Sequence, residues 1–162
     1  MLRPDPYIIF FMFIFVLSAH AQAEEKLNIT AKSVEGDVEI MPPNTSEWIP
    51  LITGDTFSEE TQVRTGPLSS VSLDFADSSV SMVNSFTCLT VEKFFKSGNV
   101  LTTRVKLDVG SVVSTLNEGS PFKNDYKIVT PSLSTSLKGR EIKKVEAGGM
   151  YKDSVNTGYR KE

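Results

Sequence analysis

Between Val71 and Met82 apolar and small polar residues take turns: Val71, Leu73 and Phe75 alternate with Ser72 and Asp74, and Val80 and Met82 resume after Asp77-Ser78. A period of two gives a strand one apolar face and one polar face; a helix of the same sequence would scatter its apolar residues around the axis. The pattern recurs along the chain. Val38 and Ile40 alternate before Pro42-Pro43-Asn44; Val105, Leu107 and Val109 share a face opposite Arg104, Lys106 and Asp108; Val112, Ser114 and Leu116 continue past Gly110; Tyr126, Ile128 and Thr130 run into Pro131. Trp48 precedes Pro50, which places that segment at an edge or bend. Strands are expected over 71–76, 80–83, 103–109 and 125–129, with a hairpin across Asp77-Ser78. The expected fold is an all-β, compact single domain of short antiparallel strands, sandwich or roll-like, whose core forms by stacking two sheets or curling one.

The first residues follow a different rule. "MLRPDPYIIFFMFIFVLSAHAQA" has a short positive start at Arg3 and 11 apolar-core residues from Tyr7 to Leu17. That core is short against the ~20 residues of a membrane-spanning helix. Ala21-Gln22-Ala23 supplies a small-x-small cleavage pattern. Residues 1–23 are therefore expected to be a signal peptide, with Ala19-His20-Ala21 as a second cleavage site and a retained membrane anchor as the alternative. The expected organisation is a β domain over 24–146 and a polar, partly flexible C-terminal segment over 147–162, with no stable membrane span after cleavage and a periplasmic or secreted location.

Removal of the signal leaves 139 residues with 16 basic and 19 acidic side chains, a balance that argues against a nucleic-acid binder. Charge is uneven: residues 24–137 carry net −6, and residues 138–162 carry net +3. The basic closing segment, with Lys138, Arg140, Lys143 and Lys144, reads as a solvated tail or as an edge for an acidic partner. Cys88 is the single cysteine, which excludes a disulfide within the chain, and it is expected to be a buried, inert thiol.

Catalytic chemistry is sparse. His20, the one histidine, belongs to the signal, so triads that need an imidazole base and metal sites built on His have no donor. Close carboxylate pairs occur at Glu59-Glu60, read as a polar loop, and at Asp74 and Asp77, read as an outward strand position and a turn. The aromatics Trp48, Phe75, Phe86, Phe94, Phe95, Phe122 and Tyr126 suit a core better than a sugar-stacking platform. No cofactor, metal site or catalytic residue is expected.

The stretch "GDTFSEETQVRTGPLSSVSLDFADSSVSMV" resembles the central motif of the FecR-like domain family. Gly54-Asp55, Val63-Arg64-Thr65-Gly66, Val71 to Phe75 and Asp77 to Val80 stand where that family has Gly-Asp, an apolar-Arg-Thr-Gly segment, a strand and an Asp-Gly-Ser turn. "VEGDVEIMPPNTSEWIPL", "LDVGSVVSTL" and "YKIVTPSLSTSLKGREIKKV" resemble the family's opening, middle and closing strands, so the likeness covers roughly residues 31–146. Three positions depart: Ser78 replaces the turn glycine, Lys138-Gly139-Arg140 stands for Arg-Gly-Thr, and Ile142 replaces an aromatic. With Ser78 in that place, the hairpin is expected to use another turn or bear strain.

Family regulators carry an anti-sigma segment and a transmembrane helix ahead of this domain; here the residues ahead of it read as a signal. The resemblance thus implies an exported, non-catalytic binding module of the bacterial cell envelope, with an envelope protein or a cell-wall polymer as partner. Two alternatives stand beside it: a sensor acting through a separate membrane partner, and a polysaccharide hydrolase using paired carboxylates.

Overall fold

The computed structural model describes residues 23–139, 141–148 and 153–159. The start of the expected signal, including Ala21, and Arg140 of the closing segment lie outside the described residues, whereas Ala23 is exposed at their beginning.

Fourteen strands and no helix make up the described residues. They are β1 (Glu25–Lys26), β2 (Ile29–Glu35), β3 (Val38–Met41), β4 (Ile49–Pro50), β5 (Thr56–Phe57), β6 (Gln62–Thr65) and β7 (Ser70–Phe75). There follow β8 (Ser79–Val83), β9 (Cys88–Ser97), β10 (Val100–Leu116), β11 (Lys123–Val129), β12 (Ser134–Leu137), β13 (Glu141–Ala147) and β14 (Ser154–Tyr159). All belong to one strongly curled, half-barrel sheet. The expected all-β fold is observed, and its core forms by curling a sheet. Trp48 lies just before β4, which pairs only with β3 at the sheet's end, as Pro50 requires.

The curl is built into β10. Its first half pairs with β9 and β11, and its second half pairs with β8 and β13. Residues 101, 103, 105 and 107 are buried, but beyond Gly110 the buried positions are 112, 114 and 116, so the inward set shifts phase. Gly110 has φ +104°, and a Cβ there would lie 2.3–2.7 Å from Thr87. Only glycine lets the strand bulge and turn against Thr87 at this point. The phase shift also leaves Val109, expected on the inward face, exposed.

The connection that follows shows how far β10 bends. Its 17 residues would span ~55 Å if straight. Only Asn117–Phe122 link its end to β11, which pairs in parallel beside its beginning. Six residues reach at most ~22 Å, so the end of β10 must curl back towards its start. This single parallel pair departs from the all-antiparallel expectation, and β10 is not a short strand.

Inside the curl, Val71, Leu73 and Phe75 of β7 are buried as the alternation requires. Phe75 meets the ring of Phe94 on β9 edge-on at 5.2 Å and that of Tyr126 on β11 at 5.8 Å. Three aromatics thereby join the two halves of the sheet across the core. Tyr126 is fully buried, and its hydroxyl lies 2.5 Å from Ser81 Oγ and 3.3 Å from Ser114 Oγ, both on the opposite half. Burial pushes its phenol up in pKa against these two hydrogen bonds.

The C-terminal segment expected to be a polar tail contributes β14, which pairs with β13 along six residues. Asp153 ties its start to the β11–β12 turn: its carboxylate accepts from Thr130 Oγ1 at 2.6 Å, Ser132 Oγ at 2.7 Å, Ser132 N at 3.1 Å and Gly148 N at 3.1 Å.

Two expected outcomes follow from these contacts. Gly110→Ala should destabilise the fold by ~3 kcal/mol or more in urea unfolding, since backbone strain and overlap with Thr87 add. Gly139→Ala, at φ +51° but with open space for a Cβ, should cost only ~1 kcal/mol. Equal costs would show that crowding against Thr87 does not matter. The Asp153 carboxyl is lowered to about 2 by the hydroxyls of Thr130 and Ser132 and the Gly148 amide. Its tie is therefore complete above the ordinary range near 4 and is lost as pH falls through about 2. The amide resonances of Ser132 and Gly148 should titrate together with a midpoint near 2, and Asp153→Asn should abolish that titration.

Candidate binding surface

The residues of the Arg-Thr-Gly segment are brought together with the turns around them. Thr65 Oγ1 donates to Asn84 O at 2.6 Å and accepts from Thr87 N at 3.0 Å. Gly66 N donates to Asp37 O at 2.8 Å, and a Cβ at Gly66 would stand 3.1 Å from that of Asp37. Arg64 points the other way, donating to Glu39 at 2.6 Å and stacking 4.1 Å over the Trp48 ring. Gly54, at φ +93°, and Asp55 form a turn docked on Ala31: Gly54 N donates to Ala31 O, and Ala31 N donates to Asp55 O. Gly139 turns the chain from β12 to β13. Arg64 is held by its side chain; the other motif positions named have a backbone reason.

The Asp77 turn bears strain, as expected of a hairpin without the turn glycine. Positive φ falls on Ala76 and Asp77, not on Ser78. Strain at the missing glycine is thus displaced to Ala76, while Ser78 is buried, bonded to Asn124 and accepting from Ser120 Oγ at 3.0 Å. Asn117 donates from its backbone to Ser78 O and from its side chain to Asp77 O, both at 2.8 Å. A groove of about 340 Å³ opens beside this turn, lined by Asn117, Ser120, Phe122, Asn124 and Lys138. Asn117, Ser120 and the side-chain carbonyl of Asn124 are engaged in holding the hairpin.

Asp74 needs a correction. The alternation directs it away from the core, yet it is only 5% exposed. The reason is a bulge in β2 at Lys32, between Ala31 and Ser33, which re-aims the lysine over β7. Lys32 Nζ lies 3.0 Å from Asp77 and 3.1 Å from Asp74, and Asp77 N donates to the other Asp74 oxygen at 3.1 Å. Asp77, followed by Asp74, holds the lysine above its ordinary pKa. Glu59, expected in a polar loop, is largely covered as well. Burial would raise its carboxyl, but the Phe94 amide at 2.9 Å and Lys26 at 2.9 Å outweigh burial and keep it low. Asp74, Asp77 and Glu59 are thus ion-paired structural ties.

The basic closing segment does not assemble into one edge among its described members. Lys143 is mostly covered and bonds Thr135, Ser136 O and Glu141. Lys144, its neighbour on the strand, points to the opposite face and pairs with Glu146 at 2.7 Å. Lys138 is exposed beside the groove. Cys88 is half-buried; burial and then the Asp108 charge push its thiol up, which disfavours the reactive thiolate.

Cations gather elsewhere. Strand register places Lys93 on β9, Arg104 on β10 and Lys127 on β11 side by side, on the face away from the core. Adjacent strands lie ~4.8 Å apart, so the three positions cover ~10 Å in one row. Lys127 has Asp125 at 3.5 Å, but among the described residues neither Lys93 nor Arg104 has an ion-pair partner, and Arg104 Nε is buried without a hydrogen bond. Lys106, two residues further on the same face, is paired with Asp108 at 2.7 Å, and Glu92 occupies the bulge between Val91 and Lys93. Like charges directly opposite in a sheet repel, which Asp125 beside Lys127 and the Glu59 charge near Lys93 offset in part. Sequence reading missed it because the three residues are far apart in the chain. The outward phase of Arg104 was visible, but its neighbours depend on pairing.

With this geometry in hand, comparison with protein families, with curated proteins and with solved structures finds no match to the chain.

The buried ion pair makes a sharp expectation. Asp74→Ala should destabilise the domain by ~2 kcal/mol, the range for hydrogen bonds to a charged group. Asp77→Ala, whose side chain is exposed, should cost about 0.5 kcal/mol or less. Urea unfolding of the two variants separates them; equal small losses would mean that Lys32 and the Asp77 amide do not depend on Asp74.

Proposed function

We propose that the protein is an exported, non-catalytic binding module of the bacterial cell envelope, FecR-like in its sequence, and that its outward row of Lys93, Arg104 and Lys127 holds an anionic cell-wall polymer. The carrying observation is this row: three cations in register on adjacent strands, two of them without an ion-pair partner among the described residues. A polymer bearing repeated carboxylates or phosphates relieves the repulsion by meeting successive cations, and Arg104 offers planar donors suited to either anion. The signal-like start and the family resemblance supply the envelope setting. The non-catalytic part of the reading rests on the carboxylate sets, since Asp74, Asp77 and Glu59 each hold a lysine.

The test is capture of the purified chain on immobilised polygalacturonate, with neutral dextran as control. Wild-type protein should bind the anionic glycan at low salt and release as salt rises, because exposed charges are screened within ~8 Å at physiological ionic strength. The Lys93→Glu/Arg104→Glu variant should lose at least about tenfold in affinity, or ~1.4 kcal/mol, with an unfolding midpoint no lower than that of wild type. Lys144→Glu, on the other half of the sheet, should bind like wild type. Equal capture of both variants, or equal capture on dextran, would remove the row from consideration.

A further inference from the structure

Leu68 and Phe86 are large apolar side chains left in solvent. Leu68 is 96% exposed and Phe86 68% exposed. Both also sit in the left-handed backbone region, at φ +52° and +56°. That conformation crowds the Cβ of a bulky residue, and neither side chain gains burial in return. Strained, exposed positions of this kind concentrate at functional surfaces.

The two residues stand on neighbouring turns, and the turns are bonded to each other. Ser69 N donates to Ser85 Oγ at 3.0 Å, Ser85 Oγ donates to Ser69 O at 2.9 Å, and Phe86 N donates to Gly66 O at 3.3 Å. Thr65 lies beneath, bridging Asn84 and Thr87. The Arg-Thr-Gly segment therefore fixes the separation of the two prongs before anything binds, which lowers the ordering cost of association. The tip lies at the opposite end of the β7–β8 hairpin from Asp77, so it is separate from the groove and from the cation row.

Its flank is acidic. The Glu35 carboxylate accepts from Ser70 Oγ at 3.4 Å, and the Asp37 backbone N donates to Ser69 Oγ at 2.8 Å, so both acidic residues stand beside the Leu68 turn. Both residues are exposed, and among the described residues neither has an ion-pair partner. A lipid surface rich in anionic headgroups would repel this flank. We infer that the Leu68–Phe86 tip docks a folded protein that presents an apolar socket rimmed by lysine or arginine. The prongs would fill the socket as the dry centre of the contact, with Glu35 and Asp37 meeting the basic rim.

The experiment uses the full chain, exported by cells, with a photo-crosslinking phenylalanine analogue at Phe86. Irradiation of intact cells should give one discrete adduct with another protein, and that protein, purified, should bind the wild-type chain. Leu68→Gly should keep or raise the unfolding temperature, because glycine suits positive φ, and yet lose the adduct and at least tenfold in affinity. Glu35→Lys/Asp37→Lys should weaken binding at low salt more than at high salt. Three results would overturn the proposal: an adduct of the chain with itself, cosedimentation with phosphatidylglycerol vesicles that Leu68→Gly abolishes, or unchanged binding of the purified partner by well-folded Leu68→Gly. Loss of polygalacturonate binding leaves this outcome untouched, since the cation row is not part of the tip.

Discussion

The close approach of Gly110 to Thr87 is the constraint on which the rest of the sheet depends. One strand serves both halves of the half-barrel, and it can do so only by changing which side chains face inward part-way along. The missing Cβ permits that change, and Thr87 Oγ1 secures it by accepting from Ser111 N at 3.0 Å. From this bend follow the short return to β11, the parallel pair and the enclosure of Phe75 between Phe94 and Tyr126. A straight β10 would leave each half with an open apolar face.

Polar ties complete what apolar burial begins. The buried hydroxyls of Ser81, Ser114 and Tyr126 satisfy one another across the core, which removes the penalty of leaving any of them alone. At one end of the β7–β8 hairpin Lys32 and Asn117 hold Asp74, Asp77 and Ser78. At the other end Thr65 and Ser85 hold the turns of Leu68 and Phe86. These ties engage part of the polar lining of the groove, whereas other features do nothing for stability.

Two such features stand out by their energetic cost. In-register cations on the outer face repel, and exposed bulky residues at positive φ are strained. Both are carried by a rigid sheet and by turns bonded to each other, so each presents a fixed geometry to whatever it meets. The proposed polymer-holding face and the inferred docking tip would together make this domain a connector between an anionic polymer and a protein partner.

The sequence alone determined the strand class and most of the inward faces. Alternation at Val71-Leu73-Phe75, Tyr126-Ile128 and Val105-Leu107 is a local property of the backbone period, and those residues are buried where the period puts them. The break at Gly110 was visible too, though not that it reverses the inward phase. Tertiary structure decided everything that depends on which strands become neighbours. Asp74 is covered because a bulge in another strand aims Lys32 at it; Val109 is exposed because β10 bends; and the C-terminal strand forms because β13 offers an edge to a segment with little apolar pattern of its own. Lys143 and Lys144, adjacent in sequence, are separated by the strand period, whereas Lys93, Arg104 and Lys127 are gathered by cross-strand register. Local periodicity fixes the face a side chain takes, but only strand pairing, a long-range property, fixes the company it keeps there.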